Sequence, residues 1–237
     1  MQKKFYFGAI IAATLISTLA CSVFSAEITP EASDNPIVSE PSEIPETPET
    51  PEMPSNVLFQ DDFSDTTSGW DQTTSEEGMT DYENGYYRIL VNTDDMDIWA
   101  NPGLDFADVI VEVEASKAGG PDDNDFGVIC RYQDVENFYF FIISSDGYYA
   151  VGKVVNGDQQ LIGDENMNPS DDINQGAALN QIKADCVGSQ LAFYVNGSLL
   201  TAVEDSTFID GDVGLIAGTF SEVGTDIHFD NFSVVQP

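Results

Sequence analysis

The sequence predicts an all-β fold, an antiparallel β-sandwich, for most of this 237-residue chain. Residues 57–235 alternate between short runs rich in Val, Ile, Phe and Tyr and turns rich in Gly, Asn and Asp. No long segment in this region has the apolar period of an amphipathic helix. Many short strands at this spacing are typical of a sandwich or a barrel.

Each predicted strand depends on alternation or on its flanking turns. From Val109 to Glu114 every second residue is apolar, as a strand with one buried face requires. Asn-Gly or Asp-Gly dipeptides at 84–85, 146–147, 156–157 and 196–197 favour tight hairpins, because these residues tolerate positive φ. The predicted strands are 57–60, 85–92, 95–100, 107–116, 125–132, 137–144, 147–155, 158–163, 179–186, 190–195, 198–203, 212–219 and 226–235.

Residues 1–26 have the order of a secretory signal. Lys3 and Lys4 come first, an apolar stretch follows, and small residues end the segment. The apolar stretch is short for a membrane span, which needs about 20 apolar residues. We therefore expect an exported protein, located outside the cell or on its surface.

The end of the signal carries a candidate lipid attachment site. Ser17-Thr18-Leu19-Ala20-Cys21 resembles a bacterial lipoprotein box, in which the cysteine becomes the lipidated first residue, although two of its positions depart from the usual pattern. Cys21 is thus the predicted lipidation site, and its lipid would be the contact with the membrane. Ordinary cleavage after residue 25 or 26 is the alternative.

Residues 27–54 form a predicted disordered linker. They contain seven prolines and eight acidic residues, with a repeat of period three at 46–54. Such a segment lacks the apolar residues for a core and favours extended polyproline II, at about 3.1 Å per residue. The linker is therefore a spacer between the signal and a sandwich domain at 55–237.

The charge of the chain excludes two classes of partner. There are 42 acidic and 7 basic residues, and two of the basic ones lie in the signal. A surface this acidic repels phosphate backbones and anionic lipid headgroups, because both kinds of binding depend on Lys and Arg. We therefore expect no nucleic acid partner. Cations are compatible with the charge, although solubility in an exposed location is the simpler explanation.

Cys130 and Cys186 are the cysteines of the predicted domain. Each lies on the apolar side of its strand, Cys130 with Val128 and Cys186 with Ala184. An even pair in an oxidising compartment predicts a disulfide. Two buried free thiols on separate strands are the alternative.

Several segments together resemble one family. Asp61-Asp62-Phe63-Ser64 opens the domain, the segment 126–139 forms its centre, and Phe229-Asp230-Asn231-Phe232 closes it. With Phe193-Tyr194-Val195-Asn196-Gly197, they resemble the concanavalin A-like, laminin G-type jelly roll, in particular a bacterial branch that is similar to the 3-keto-disaccharide hydrolase domain. The resemblance spans about 55–237 and implies the fold. It implies little about activity, because the same sandwich carries lectins, glycosidases and adhesion modules.

The resemblance also implies a structural calcium ion. In that family the first and last strands are neighbours, and some relatives hold calcium where these strands meet. Asp62 and Asp230 are thus the predicted metal ligands, with backbone carbonyls completing a shell of oxygen ligands. Acidic residues that only cap turns are the alternative. The acidic loop 121–125 is a second candidate, a shallow calcium site bridging to sugar hydroxyls, with a solvated loop as the default.

No catalytic constellation emerges from the sequence. Related sandwich hydrolases carry Glu-x-Asp-x-x-Glu on one strand, and this motif does not occur here. Glu112 and Glu114 share a strand face, as the exposed side of an antiparallel strand commonly does. His228, between two apolar residues, is typical of a strand face rather than of a Ser-His-Asp unit. The residue counts exclude a Cys/His zinc site, so we predict no catalytic residue.

Carbohydrate binding is the leading predicted function. A sugar site needs flat aromatic faces for the apolar C–H surface and a few fixed polar groups for the hydroxyls. Trp99 and Tyr139 are predicted to supply the faces and Arg131 a donor, on the concave face of a sheet. Arg131 interrupts an apolar strand, which an ion pair with a nearby acid also explains. The alternatives are a glycosidase-like hydrolase of a keto-sugar or disaccharide, and a structural or adhesive surface protein.

Overall fold

Strands alone make up the regular structure of residues 56–237, the part of the chain that this computed structural model describes. No helix in that range is long and apolar enough to cross a membrane. The predicted signal with Cys21 and the predicted linker lie outside the described residues. The strands are β1 (Val57–Asp61), β2 (Thr73–Thr74), β3 (Gly78–Glu83), β4 (Tyr86–Val91), β5 (Met96–Ala100), β6 (Val109–Gly119), β7 (Asn124–Asp134), β8 (Asn137–Ile143), β9 (Tyr148–Val155), β10 (Asp158–Leu161), β11 (Asn168–Pro169), β12 (Asn180–Val187), β13 (Gln190–Val195), β14 (Ser198–Glu204), β15 (Asp212–Thr219) and β16 (Thr225–Val235).

The strands form two antiparallel sheets. The nine-stranded sheet has the order β14-β13-β12-β6-β16-β4-β3-β2, and β1 also pairs with β16. The seven-stranded sheet has the order β10-β9-β8-β7-β15-β5, and β11 also pairs with β9. The predicted all-β antiparallel sandwich is therefore confirmed.

The main core lies between the two sheets. In β6, Val111 and Val113 are buried while Glu112 between them is exposed. Phe141 of the seven-stranded sheet meets Phe193 of the nine-stranded sheet, with ring centroids 5.6 Å apart. Because apolar side chains from both sheets meet in one interior, their burial holds the two layers together.

Tight turns set the register of the hairpins. Asn84, Asn156 and Asn196 each have φ between 50° and 54°, and a glycine with φ of 83° or 84° follows each of them. These three Asn-Gly turns join neighbouring antiparallel strands, as predicted. The sequence did not reveal β3, because its acidic and glycine residues obscure an alternation that only pairing with β4 makes visible.

A disulfide links the two layers. Cys130 of β7 is bonded to Cys186 of β12, with the Cα atoms 6.8 Å apart. Both residues are fully buried in the main core. The pair is therefore a covalent link between the seven-stranded and nine-stranded sheets, not two free thiols.

Candidate functional site

The seven-stranded sheet carries apolar side chains on both faces. Val128 of β7 and Phe141 of β8 point into the main core, whereas Ile129 and Phe140 point outward into a second buried cluster. An antiparallel sheet in a two-layer sandwich more often presents polar residues to the outside. We call this surface the outer apolar face. It consists of Ile129, Phe138, Phe140, Ile142, Ala150, Val154 and Ile216, with Trp99, Tyr132, Leu161 and Met167 packed against them.

Three aromatic side chains form one group on the outer apolar face. The ring centroids of Trp99 and Phe138 are 5.3 Å apart, and those of Tyr132 and Phe138 are 5.6 Å apart. Burial raises the pKa of the Tyr132 hydroxyl, and a side-chain hydrogen bond with Trp99 offsets part of that effect. Trp99 and Tyr132 are only partly buried, so both retain surface for contact with a ligand.

Two carboxylates face each other beside this group. Gly218 of β15 pairs with Asp97 of β5 on one side and with Asp125 of β7 on the other. A Cβ atom at Gly218 would lie 1.9 Å from Asp97 Oδ1 and 2.7 Å from Asp125 Oδ2. Only a residue without a side chain therefore leaves room for both carboxylates.

The carboxylate pair is nearly enclosed. Asp97 is 8% exposed and Asp125 is 1% exposed. Burial raises the pKa of Asp97 to about 7, because a charged carboxylate is unfavourable where water is scarce. Repulsion between two carboxylates this close also opposes ionisation of both. Burial and this repulsion therefore both favour the protonated form of Asp97.

Arg131 does not lie on the outer apolar face. Alternation along β7 would point it outward with Ile129, but the pairing of β7 with β8 is irregular after Cys130 and Arg131 has a φ of 53°. Its buried guanidinium instead donates to the backbone carbonyls of Gly188 and Phe208, both at 2.9 Å. Its prediction as a sugar contact is corrected, because the bulge turns the side chain inward.

Tyr139 also points between the sheets. It belongs to the main core with Phe141 and is fully buried. Its hydroxyl donates to Asp205 Oδ1 at 2.6 Å and accepts from the Phe208 amide at 3.1 Å. Its prediction as a sugar contact is corrected as well, and Trp99 is the predicted contact that the structure places on the outer apolar face.

Asp62 and Asp230 lie near each other where the first and last strands pair. Burial raises the pKa of Asp230, and the charges of Glu114 and Asp62 add to that effect. The Asp62 carboxylate accepts hydrogen bonds from the Ser64 amide at 3.0 Å and hydroxyl at 2.6 Å, so it caps a turn. Within residues 56–237 no group of three or more His, Cys, Asp or Glu side chains is arranged to hold a metal. The calcium site stays a prediction.

The acidic loop 121–125 is closed by its own hydrogen bonds. The Lys117 ammonium pairs with Asp122 and donates to the Gly120 carbonyl at 3.1 Å. The Asn124 side chain donates to the Pro121 carbonyl at 2.7 Å. Asp125 leaves the loop as part of β7 and joins the carboxylate pair, so the loop contributes one residue to the outer face of its sheet.

The other carboxylates and the histidine considered for catalysis lie on the outer side of the nine-stranded sheet. Glu112 is exposed and pairs in register with Lys183 of β12. Glu114 accepts a hydrogen bond from the Asn231 side chain at 3.1 Å. His228 stacks on Tyr86 with ring centroids 5.3 Å apart. None of these three therefore shares a surface with the aromatic group around Trp99.

Sequence reasoning did not identify the carboxylate pair. The available signal was an acidic residue inside an apolar strand, as Asp97 stands between Met96 and Ile98. With 42 acidic residues in the chain, spacing selects none of them. Asp97 and Asp125 meet because β15 lies between their strands, and that pairing is a property of the sheet.

The similarity of this domain to known proteins is found in its structure and not in its sequence. No family model and no curated protein matches the chain. The carbohydrate binding module CBM66 from Bacillus subtilis is similar at a TM-score of 0.59 and 16% identity, covering 71% of this chain and 96% of that one. A Bacillus subtilis protein of unknown function with a galectin-like fold is similar at a TM-score of 0.55 and 12% identity, covering 76% of this chain and 96% of that one.

A laminarinase from a Flavobacterium species is also similar. The TM-score is 0.55 at 13% identity, covering 76% of this chain and 100% of the laminarinase. At these identities the likeness concerns the fold alone. The domain is an antiparallel β-sandwich that matches these structures in its jelly-roll fold.

Proposed function

We propose that this domain binds carbohydrate at the partly exposed aromatic side chains of the outer apolar face, Trp99 and Tyr132. The observation that carries the proposal is a partly buried tryptophan beside a carboxylate pair. Asp97 and Trp99 are two positions apart on β5, so both project from the same side of the sheet. An aromatic ring covers the apolar C–H surface of a sugar, and neighbouring polar groups fix its hydroxyls.

Two of the structural neighbours support a role with sugars. One is a carbohydrate binding module and another is a laminarinase. Because one sandwich serves many activities, the proposal depends on the outer apolar face of this chain and not on the shared fold. Membership of the branch similar to the 3-keto-disaccharide hydrolase domain stays a prediction.

Retention on insoluble polysaccharide, followed by a glycan array, tests the proposal. Wild-type domain is expected to be retained, and Trp99→Ala is expected to weaken retention about tenfold, since the lost aromatic contact and the apolar area it buries contribute roughly 1.5 kcal/mol. Tyr86→Ala is the matched control, because Tyr86 is an exposed aromatic on the nine-stranded sheet. Wild type that binds no glycan, or equal loss in both variants, would contradict the proposal.

Hydrolysis of a glycoside is the second candidate, favoured by the same two carboxylates. Retaining glycosidases place two carboxyl groups about 5 Å apart and keep one protonated. The raised pKa of Asp97 supports the role of the acid. Release of reducing sugar by wild type, lost in Asp97→Asn, would establish an enzyme. Binding without any turnover would leave a binding module.

We also propose that the domain acts outside the cytoplasm, held at the cell surface by a lipid on Cys21 and extended by the linker 27–54. The order of residues 1–26 supports export, and the Cys130–Cys186 bond suits an oxidising compartment. Metabolic labelling with an alkyne fatty acid is expected to label wild type and not Cys21→Ser. If wild type is unlabelled and is found in the culture medium, the protein is fully secreted and has no lipid anchor.

A further inference from the structure

We infer that Trp99 and Tyr132 bind an amino sugar, and that Asp71 beside them pairs with its free amine. The inference rests on the proposed function and names its ligand class. A sugar with a free amine carries a positive charge, whereas its N-acetylated form and plain glycans are neutral. The predicted ligands are therefore de-N-acetylated glycans, such as oligomers of glucosamine, in preference to their acetylated counterparts.

Asp71 is anchored next to the strand that carries Trp99. Its amide donates to the Asn101 carbonyl at 3.3 Å, and the Asn101 amide donates to Asp71 Oδ2 at 3.3 Å. Asn101 directly follows β5 and lies two residues beyond Trp99. The Asp71 side chain is exposed, so a ligand on the indole can reach its carboxylate.

Two further carboxylates lie around Tyr132. Asp134 follows it by two residues in β7, and Asp212 pairs with it in register from β15. Burial raises the pKa of the tyrosine hydroxyl, and the charges of Asp71, Asp134 and Asp212 add to that effect. Carboxylates from three separate segments thus act on one point of the aromatic pair. The electrostatic potential at that point favours a cation.

The three carboxylates differ in what they can contact. Asp212 is 8% exposed, and both of its oxygens accept hydrogen bonds from backbone amides at 2.8 Å. Asp134 is exposed, but one of its oxygens closes a turn by accepting two hydrogen bonds at 2.8 Å. Asp71 is therefore the carboxylate that pairs with the amine, and the other two contribute their charge.

The aromatic pair offers complementary contacts to the rest of the sugar. The faces of Trp99 and Tyr132 cover apolar C–H surface, and an ammonium group close to an indole face is attracted by its quadrupole. An indole N–H can only donate, so the tyrosine oxygen is the acceptor in the hydrogen bond between the two side chains. That bond leaves the hydroxyl proton of Tyr132 for a sugar oxygen.

The basic side chains of the domain do not compete for this site. Within residues 56–237 each Lys and Arg side chain is already paired with an acid of its own. The pairs are Arg88 with Asp226, Lys117 with Asp122, Arg131 with Asp108, Lys153 with Asp205 and Lys183 with Asp185. An acidic sugar is repelled by the carboxylates around Tyr132, whereas a cationic sugar is attracted by them.

The test compares two ligand series that differ only in the amine. Calorimetric titration at about pH 6 uses short glucosamine oligomers, whose amines are protonated there, and the same oligomers after N-acetylation. Wild type is expected to bind the charged series about tenfold more tightly, because a cation–π contact and a charged hydrogen bond are gained. Ring stereochemistry and chain length are the same in both series, so the preference measures the effect of the amine.

Substitutions assign that preference to the site. Asp71→Asn is expected to weaken binding of the charged series about threefold to fivefold and to leave the acetylated series nearly unchanged, because an ion pair in contact with solvent contributes little. Trp99→Ala is expected to weaken both series about tenfold. Glu112→Gln, an exposed acid on the other sheet, is the matched control for net charge. Thermal melting checks folding, and Asp71→Asn keeps an oxygen for the Asn101 amide.

The outcomes separate this inference from the proposed function. Wild type that binds no glycan of either kind contradicts the proposed function itself. If neutral glycans bind through Trp99 and the two series bind equally, the function stands and this inference is wrong. Equal losses in Asp71→Asn and Glu112→Gln trace the preference to net charge and also overturn it. Tighter binding of an oligolysine peptide than of the glucosamine series assigns the site to a cationic protein segment instead.

Discussion

Arg131 Nη2 donates a hydrogen bond to the carbonyl oxygen of Cys186 at 3.3 Å, and the sulfur of Cys186 is bonded to Cys130, the residue before Arg131. β7 and β12 are therefore joined twice, once by a covalent bond and once by a buried cation. Because these strands belong to different sheets, the two links act on the same contact between the layers.

Replacing Arg131 with Met is expected to destabilise the domain strongly. The guanidinium donates to carbonyls of Gly188 and Phe208 and pairs with Asp108 at 3.1 Å, and the substitution leaves these acceptors without a donor. Each buried carbonyl left without a donor costs about 1–3 kcal/mol, which for several carbonyls amounts to roughly 10 °C in Tm for a domain of this size. Calorimetry measures the change.

Lys183→Met is the control for that experiment. Lys183 is a third exposed and pairs with Asp185 at 3.2 Å on the outer side of the nine-stranded sheet. A surface pair of this kind contributes about 1 kcal/mol or less. Equal Tm losses for the two variants would show that Arg131 has no special role.

Removing the disulfide is expected to lower the stability while keeping the β fold. The bond closes a loop across a sequence separation of 56, for which chain entropy gives about 4 kcal/mol. Cys130→Ala with Cys186→Ala should therefore melt well below wild type, and added reductant should lower the Tm of wild type only. If reductant also lowers the Tm of the double variant, the lower stability has a cause other than loss of the disulfide.

Asp97→Asn is expected to stabilise the domain at neutral and alkaline pH. The folded pKa is about 7 against an ordinary value of 3.8, so ionisation of Asp97 opposes folding. That cost is absent below pH 4, grows as the pH rises toward 7 and is complete above it. It is on the order of a few kcal/mol, or roughly 5 °C or more in Tm.

Melting curves of wild type and Asp97→Asn between pH 4 and pH 9 check this prediction. The difference in Tm should open with rising pH, because only wild type has a carboxylate to ionise beside Asp125. Parallel curves with a constant offset would contradict the titration of Asp97.

A calcium ion at Asp62 and Asp230 predicts a metal-dependent Tm. Calcium should raise the Tm of EDTA-treated wild type by a few degrees, sodium at equal ionic strength should not, and Asp230→Asn should abolish the gain. Burial raises the pKa of Asp230, and the charges of Glu114 and Asp62 add to that effect, so a divalent cation bound there would offset their mutual repulsion. A Tm that does not change when calcium is added would contradict this prediction.

Local pattern was sufficient for the fold class. Alternation in 109–114 gives a strand with one buried face, and the Asn-Gly pairs at 84–85 and 196–197 give tight hairpins, because both effects act between residues close in sequence. Cys130 and Cys186 were assigned to the apolar side of their strands by the same alternation, and both are in the core.

The candidate site was only partly predictable. Trp99 was selected from its residue type, and the structure places it on the outer apolar face. Arg131 and Tyr139 were selected in the same way and point inward. Alternation along β7 assigns Arg131 to the outer side of the sheet, and a single bulge turns it to the inner side. That bulge arises from the pairing of β7 with β8 and β15, and the sequence of β7 alone does not encode this pairing.

The sequence by itself determined what depends on neighbours along the chain: most of the strands, the Asn-Gly turns and the acidic net charge. The order of signal, linker and domain stays a prediction. The tertiary structure decided what depends on pairing between distant strands. It placed Asp97 and Asp125 on either side of Gly218, joined Cys130 to Cys186, and turned Arg131 into the core. The physical reason is that alternation fixes two possible faces for each strand, while strand order and register decide which side chains share a face.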